Sequence, residues 1–342
     1  MSALPLFPLP DEPLEMPEKP RLIGIARLAS EGESIREGHN VEYFTLESKS
    51  VLNRCVSGRG VPFDWTINPY RGCEFGCKYC YARYTHEFME MRDGVAFEQK
   101  IFVKQHTAAL LRQELRQVKQ DESISIGAAT DPYQPAERRY EITRGILEEF
   151  ARHEGFHLGL ITKSNLVLRD IDVMQAVARE NRFSVHVTIT TLDAELARIL
   201  EPRAPRPDLR LDAVRKLSEA GLRVGISGSP VLPGITDSPK QIEALVRAAA
   251  EAGAHFIFAG ALFLKPCSSA VFLPFLEKQF PHLVANYKRR FQGRAFLPDS
   301  YSKPLGDLVA RLREKYGLGN DPRRAKAIRP PEHPKGEQME LY

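Results

Sequence analysis

The sequence predicts an α/β fold: a partial (β/α)6 TIM-like barrel with an N-terminal extension and a C-terminal helical segment. Two observations carry this. Short apolar runs recur roughly every 30 residues with helical patterns between them, the signature of repeated βα units around a parallel sheet. Within the runs, aliphatic residues alternate with small or polar ones, as strands with two different faces require.

The strands are expected at Asp64–Tyr70, Ser123–Thr130, Phe156–Thr162, Phe183–Thr190, Leu222–Val231 and His255–Leu264. Six such units fall short of the eight of a closed barrel. Leu111, Leu115 and Val118 fall on one face of a helix after the first strand. Val214, Leu217 and Ala220 mark another, with Gly221 suited to end it. Asp237 is suited to cap a helix that stops before Gly253. Residues 1–56 read as an extension, partly disordered because prolines crowd positions 5 to 20. The core barrel spans 57–270, a helical segment 271–316 and a flexible tail 317–342.

The alternation assigns the two faces. Ile124 and Ile126, Val185 and Val187, and Val224 and Ile226 form aliphatic sets that suit packing against outer helices. Ser125 and Gly127, His186 and Thr188, and Ser227 and Ser229 form the opposite set, which suits a lumen that holds a ligand. Asp131, Lys163, Thr188 and Thr190 then stand at the C-terminal mouth, where barrels of this kind carry their active sites.

Composition bounds the function. Apolar residues at 43% and charged residues at 27% describe an ordinary globular chain. No apolar run approaches the roughly 20 residues of a membrane span, and the N-terminus lacks the pattern of a secretion signal. The net charge, 48 − 44 = +4, is too small to argue for nucleic acid by itself. Basic clusters at Arg203–Lys216 and Tyr287–Phe291 leave nucleic acid open as a partner, the second because it interleaves aromatics with cations. Five cysteines, three of them clustered, suggest reduced thiols in a cytoplasmic protein.

Cys73, Cys77 and Cys80 stand in a Cys-x3-Cys-x2-Cys pattern directly after the first strand. Three thiolates do not complete a tetrahedral metal site. A cubane iron–sulfur cluster is held by thiolates, usually four, so three leave one iron open to a small molecule. Gly72 and Gly76 allow the tight backbone that the loop needs. His86 is the alternative fourth ligand, for a structural Cys3His zinc site. Cys55 or Cys267 could complete an electron-carrier site. Cys267 ends the sixth strand, where its thiol can face the mouth or simply be buried.

These motifs resemble the radical S-adenosylmethionine (SAM) superfamily, and within it the branch that contains spore photoproduct lyase and its uncharacterised bacterial relatives. The resemblance covers about residues 60–270. It rests on Asn68-Pro-Tyr-Arg-Gly-Cys-Glu-Phe-Gly-Cys-Lys-Tyr-Cys-Tyr-Ala-Arg83, Thr130-Asp-Pro-Tyr-Gln-Pro-Ala-Glu137, Ile161-Thr-Lys-Ser164 and Leu200-Glu-Pro-Arg-Ala-Pro205.

The resemblance implies a [4Fe–4S] cluster on Cys73, Cys77 and Cys80, SAM on the open iron, and an electron donor such as flavodoxin or ferredoxin. It implies reductive cleavage of SAM to methionine and a 5′-deoxyadenosyl radical, which abstracts hydrogen from a substrate that the sequence does not identify. It also implies SAM contacts: Tyr79 near the adenine, Lys163 at the carboxylate and Thr188 near the ribose; Thr190, at the mouth, is a further cofactor-binding candidate. Asp131 and Glu137 lie in the stretch that lines the methionine end. Tyr79 and Tyr81 flank Cys80 as two tyrosines do in spore photoproduct lyase, where they are tied to electron and proton delivery. The competing function class is a nucleic-acid-associated binding protein with a structural metal.

One departure bears on the substrate. Spore photoproduct lyase uses a further cysteine, some forty residues beyond its cluster, as hydrogen donor. The corresponding stretch here, Asp121-Glu-Ser-Ile-Ser-Ile126, has none. Purified protein incubated with SAM and reductant is therefore expected to leave spore photoproduct unconverted; chromatographic appearance of the repaired thymines would show otherwise.

Overall fold

A computed structural model describes residues 22–38, 41–55, 62–119 and 121–320. The expectations for residues 1–20, and for nearly all of the tail, lie outside these residues. The strands are β1 (Ser34–Gly38), β2 (Val41–Leu46), β3 (Leu52–Arg54), β4 (Trp65–Ile67), β5 (Tyr70–Arg71), β6 (Lys100–Lys104), β7 (Ser123–Ile126), β8 (His157–Thr162), β9 (Arg182–Thr188), β10 (Val224–Ser227) and β11 (Phe256–Phe258).

Six parallel strands run β4-β7-β8-β9-β10-β11 in chain order, with β3 antiparallel on the outer edge of β4. Successive strands pair as neighbours because each returns through a helix on the same side. All six sequence-expected strands are found, but shorter. The stretch expected as Asp64–Tyr70 divides: β4 belongs to this sheet, whereas Tyr70 opens β5 in a second one. That sheet, in the order β1-β2-β6-β5, joins segments far apart in the chain. No local pattern announced it.

The register explains the alternation. Ile67, Ile126, Leu160, Val185 and Val224 form one row across β4, β7, β8, β9 and β10. All five are fully buried. They pack under the outer helices through Ile146, Leu147 and Phe150 (helix Ile142–Phe150), Met174 and Val177 (Ile171–Glu180), Val214 and Leu217 (Pro207–Glu219) and Val246 (Pro239–Glu251). On the other face Thr66, Ser125, Gly159 and Ser184 make a row of small residues. Above it, His186 packs on Phe256 with centroids 4.8 Å apart, and Ser184 Oγ lies 3.0 Å from its Nε2. Gly225 sits between them; a Cβ there would lie 2.3 Å from the Phe256 ring.

Two end-cap expectations fare differently. Gly221, at φ +78°, follows the helix Pro207–Glu219 as expected. Ser238, not Asp237, caps the helix Pro239–Glu251, through a capping box with Gln241. Asp237 instead accepts from Gly234 N and from Tyr301 Oη. Cys267 is likewise not on a strand end. Pro266 opens the helix Pro266–Gln279, and Cys267 lies half-buried in its first turn.

That helix and the next, Val284–Phe291, cover the cysteine loop. Phe272, Leu276 and Tyr287 pack into one cluster with Phe75, Tyr79 and Phe97. Tyr287 is fully buried, so one of the two aromatics of the Tyr287–Phe291 basic cluster is core rather than a stacking surface. No helix of the described residues is long and apolar enough to cross a membrane.

Leu160→Ala, in the middle of the aliphatic row, is expected to lower stability by about 2–5 kcal/mol, measured by urea unfolding of the cluster-free protein.

Candidate active site

The cysteine loop leaves β5 and turns at once. Gly72 has φ +86°, and a Cβ would lie 2.7 Å from Lys100 O and 2.9 Å from Phe97 O. Gly76 has φ +63° and is backed by the Glu98 carboxylate. Only glycine meets both demands.

The Thr130–Glu137 segment clamps the loop from one side. Thr130 Oγ1 and Gln134 Nε2 donate to Gly72 O at 2.6 and 3.1 Å, and Glu74 N donates to Gln134 Oε1 at 3.0 Å. Glu74 returns the contact by accepting from Ala136 N at 2.9 Å. From the other side, Lys78 N donates to Leu200 O at 2.9 Å. Glu98 accepts from Arg83 and Arg203, both at 2.7 Å, and Arg83 also donates to Cys77 O at 3.0 Å. Ser268 Oγ, on the covering helix, donates to Cys80 O at 3.0 Å.

Cys73, Cys77 and Cys80 line one cavity of about 500 Å3 at the C-terminal mouth of the sheet. Tyr79, Tyr81, Asp131, Lys163 and Thr188 line it too. Glu137 and Thr190 do not. Glu137 is fully buried behind the segment, where its carboxylate accepts from Tyr70, Thr143, Arg144 and Arg169. Thr190 donates to Glu201 at 3.1 Å. The remaining wall is largely apolar, with Phe63, Phe258 and Phe263 among its residues.

Charge inside this cavity is organised around Lys163. Its Nζ lies 5.7 Å from the Tyr79 ring centroid. Burial works against its charge, but Cys77 and the Glu201 carboxylate outweigh burial and hold its pKa above the ordinary lysine value. Glu201 pairs with Arg210 at 2.5 Å and accepts from Tyr79 Oη. Burial would raise the Glu201 pKa; Arg210 and Lys163 overcome it and hold the carboxylate ionised. Asp131 accepts from Thr162 Oγ1 and Lys163 N, both at 2.7 Å, which fixes the backbone from which Lys163 projects. Burial nevertheless pushes its pKa up.

The donor set fits an iron–sulfur cluster. Burial pushes all three thiols up, Cys77 to about 12 and Cys73 well above the usual value. Thiolates here therefore need a strong compensating positive charge, which iron supplies. Among the described residues no three His, Cys, Asp or Glu side chains converge closely enough to hold a single metal ion. A cubane differs in spreading its sulfur ligands over separate irons. His86 does not line the cavity. Its Nε2 lies 3.0 Å from Lys100 O and its ring packs on Phe97 and Phe102, so the Cys3His arrangement is not assembled. Cys55 and Cys267 are not among the lining residues either.

Sequence reasoning passed over Gln134, Glu201 and Arg210. The first two stand inside quoted motifs, but no spacing rule assigns them a partner. Arg210 belonged to a cluster whose composition suits a solvated face, yet it is 1% exposed.

A family model of the radical SAM superfamily matches residues 67–259. An uncharacterised protein of Mycobacterium tuberculosis is 37% identical over 293 residues, 85% of each chain. An uncharacterised protein of Methanocaldococcus jannaschii is 28% identical over 242 residues, 70% of this chain and 85% of that one. Among solved structures, a spore photoproduct lyase mutant with bound AdoMet and dinucleoside spore photoproduct superposes with a TM-score of 0.61, covering 81% of this chain and 80% of that one. At 17% sequence identity this likeness concerns the fold.

Gln134→Leu removes the clamp but keeps the side chain's bulk. It is expected to weaken retention of reconstituted iron by about 10- to 100-fold, read as iron per chain after dialysis against chelator, with circular dichroism unchanged.

Proposed function

Because the chain belongs to the radical SAM superfamily, whose members use a [4Fe–4S] cluster and SAM, we propose that Cys73, Cys77 and Cys80 ligate that cluster and that the cavity beside them seats SAM. One observation carries this reading: the three thiols share a single cavity with a half-buried lysine and a largely apolar wall. Its volume of about 500 Å3 is that of a pocket for one cofactor-sized ligand. The bound cluster and SAM supply an electron and a 5′-deoxyadenosyl radical for hydrogen abstraction.

The residues of this chain bind and orient. Lys163 provides the cation that a SAM carboxylate needs, and the Glu201 carboxylate, itself paired with Arg210, helps keep it charged. Tyr79 offers its ring toward the adenine. Its hydroxyl is held by Glu201, so the ring cannot swing away. Thr188 presents a hydroxyl to the ribose, and Asp131 sets the strand end from which Lys163 projects. Glu137 and Thr190 support the site from behind its lining. The apolar wall excludes water, which would otherwise quench the reaction and weaken every charge contact. Tyr81 lines the cavity next to Cys80, which supports a part in hydrogen or electron delivery. No cysteine beyond the three ligands stands among the lining residues, which supports a substrate other than spore photoproduct.

The experiment is anaerobic. Reconstituted protein reduced with dithionite and given SAM should release 5′-deoxyadenosine, detected by mass spectrometry, and Cys77→Ala should abolish both cluster and product. Lys163→Met should keep the cluster but weaken SAM binding by about tenfold or more, since charge-assisted hydrogen bonds contribute about 1.5–3 kcal/mol. An intact cluster that gives no product, and whose paramagnetic resonance spectrum SAM leaves unchanged, would refute the reading.

A further inference from the structure

A separate cavity of about 300 Å3 lies where the helix Gly24–Ser30, residues 48–50, β3, β5 and β6 meet. Arg27, Lys49, Arg71 and Lys104 line it, with the Ser48 hydroxyl, and its lining includes no carboxylate. Lys104 is only 4% exposed. The reason is its position on β6. It stands two residues after Phe102, on the strand face that packs toward Ala29 of the helix.

The two inner cations are not neutralised. Among the described residues no carboxylate forms an ion pair with Lys104 or Arg71, and Arg71 Nε is buried with no hydrogen-bond partner. The one carboxylate that acts on Lys104 through space belongs to Glu114, and its Oε2 is engaged by Val51 N and Leu52 N at 2.9 and 2.8 Å. Burial, and then the Arg71 charge, pull the Lys104 pKa down to about 7. An unpaired buried cation is costly, and a fold that holds the buried Lys104 beside the half-buried Arg71 against one cavity is poised for an anion.

We propose that this cavity binds a phosphate-bearing anion. Four cations and a hydroxyl around one space offer more donors than the two oxygens of a carboxylate can use, whereas a phosphate can accept from all of them. The outer pair, Lys49 and Arg27, stands at the exposed rim, where Arg27 also meets Glu31 at 3.5 Å. Lys104 and Arg71 form the floor. The site does not depend on the assignment of the cysteine cavity, and its test reads binding rather than turnover.

The full-length protein with reconstituted cluster is titrated calorimetrically with inorganic phosphate and with pyrophosphate near pH 7.5, in buffers of different ionisation enthalpy. Saturable binding is expected, with net proton uptake, because a bound anion raises the Lys104 pKa above the working pH. Lys104→Met keeps the apolar stem and should weaken binding by at least about tenfold and remove the proton uptake. It should leave SAM cleavage intact. Lys49→Ala, at the exposed rim, should weaken binding without touching the fold, so the question stays decidable if the buried variant does not fold. A 5′-phosphorylated oligonucleotide that displaces pyrophosphate, where its unphosphorylated counterpart does not, would identify a polynucleotide end as the source; displacement only by small phosphomonoesters would identify a metabolite. Absence of saturable binding to the wild type, or binding unchanged in Lys104→Met and Lys49→Ala, would overturn the proposal.

Discussion

Holding three thiols, two buried and one half-buried, at one cavity is the constraint on which the rest of the structure depends. Each thiol is driven toward its neutral form by burial. The loop must therefore be rigid before any cluster arrives, or the ligands would separate into more comfortable positions. Gly72 and Gly76 permit the turn, but they do not enforce it. Enforcement comes from Gln134 and Thr130 on one side and from the Glu98 pairs with Arg83 and Arg203 on the other. The motifs in the chain are thus two halves of one clamp: the cysteines and the segments that grip their loop.

A similar logic governs the buried charges. Lys163, Glu201 and Arg210 would each be costly alone in this interior. Together they form an alternating set in which each cation has a carboxylate neighbour. Arg210 holds Glu201 in place, and the Glu201 carboxylate in turn favours a charged ammonium at the cavity wall. The second cavity is the contrast. Lys104 and Arg71 are two like charges with no ion-paired carboxylate among the described residues; burial first, and then the Arg71 charge, depress the Lys104 pKa, which Glu114 only partly offsets.

The alternation along the strands was legible because burial on two different faces leaves a period of two in the sequence. Helix ends were legible to within a residue, as Asp237 and Ser238 illustrate. Ser238 wins because Gln241 stands three residues on and closes the capping box. Cys267 was misplaced because an apolar run before a proline reads equally as a strand or as the approach to a helix. The burial of Tyr287 and Arg210 was not legible, for a common reason. Composition does not tell a solvated basic face from one whose key residues turn inward.

The sequence by itself determined the repeated βα units, the polar mouth and the cysteine loop, because each is written in local spacing. Only the tertiary structure decided that Glu201 and Arg210 meet behind Tyr79, that Glu137 and Thr190 stand behind the cavity wall, and that β1, β2, β5 and β6 join in a second sheet. These are contacts between residues distant in the chain. Their free energy lies in shared burial, which no single segment encodes.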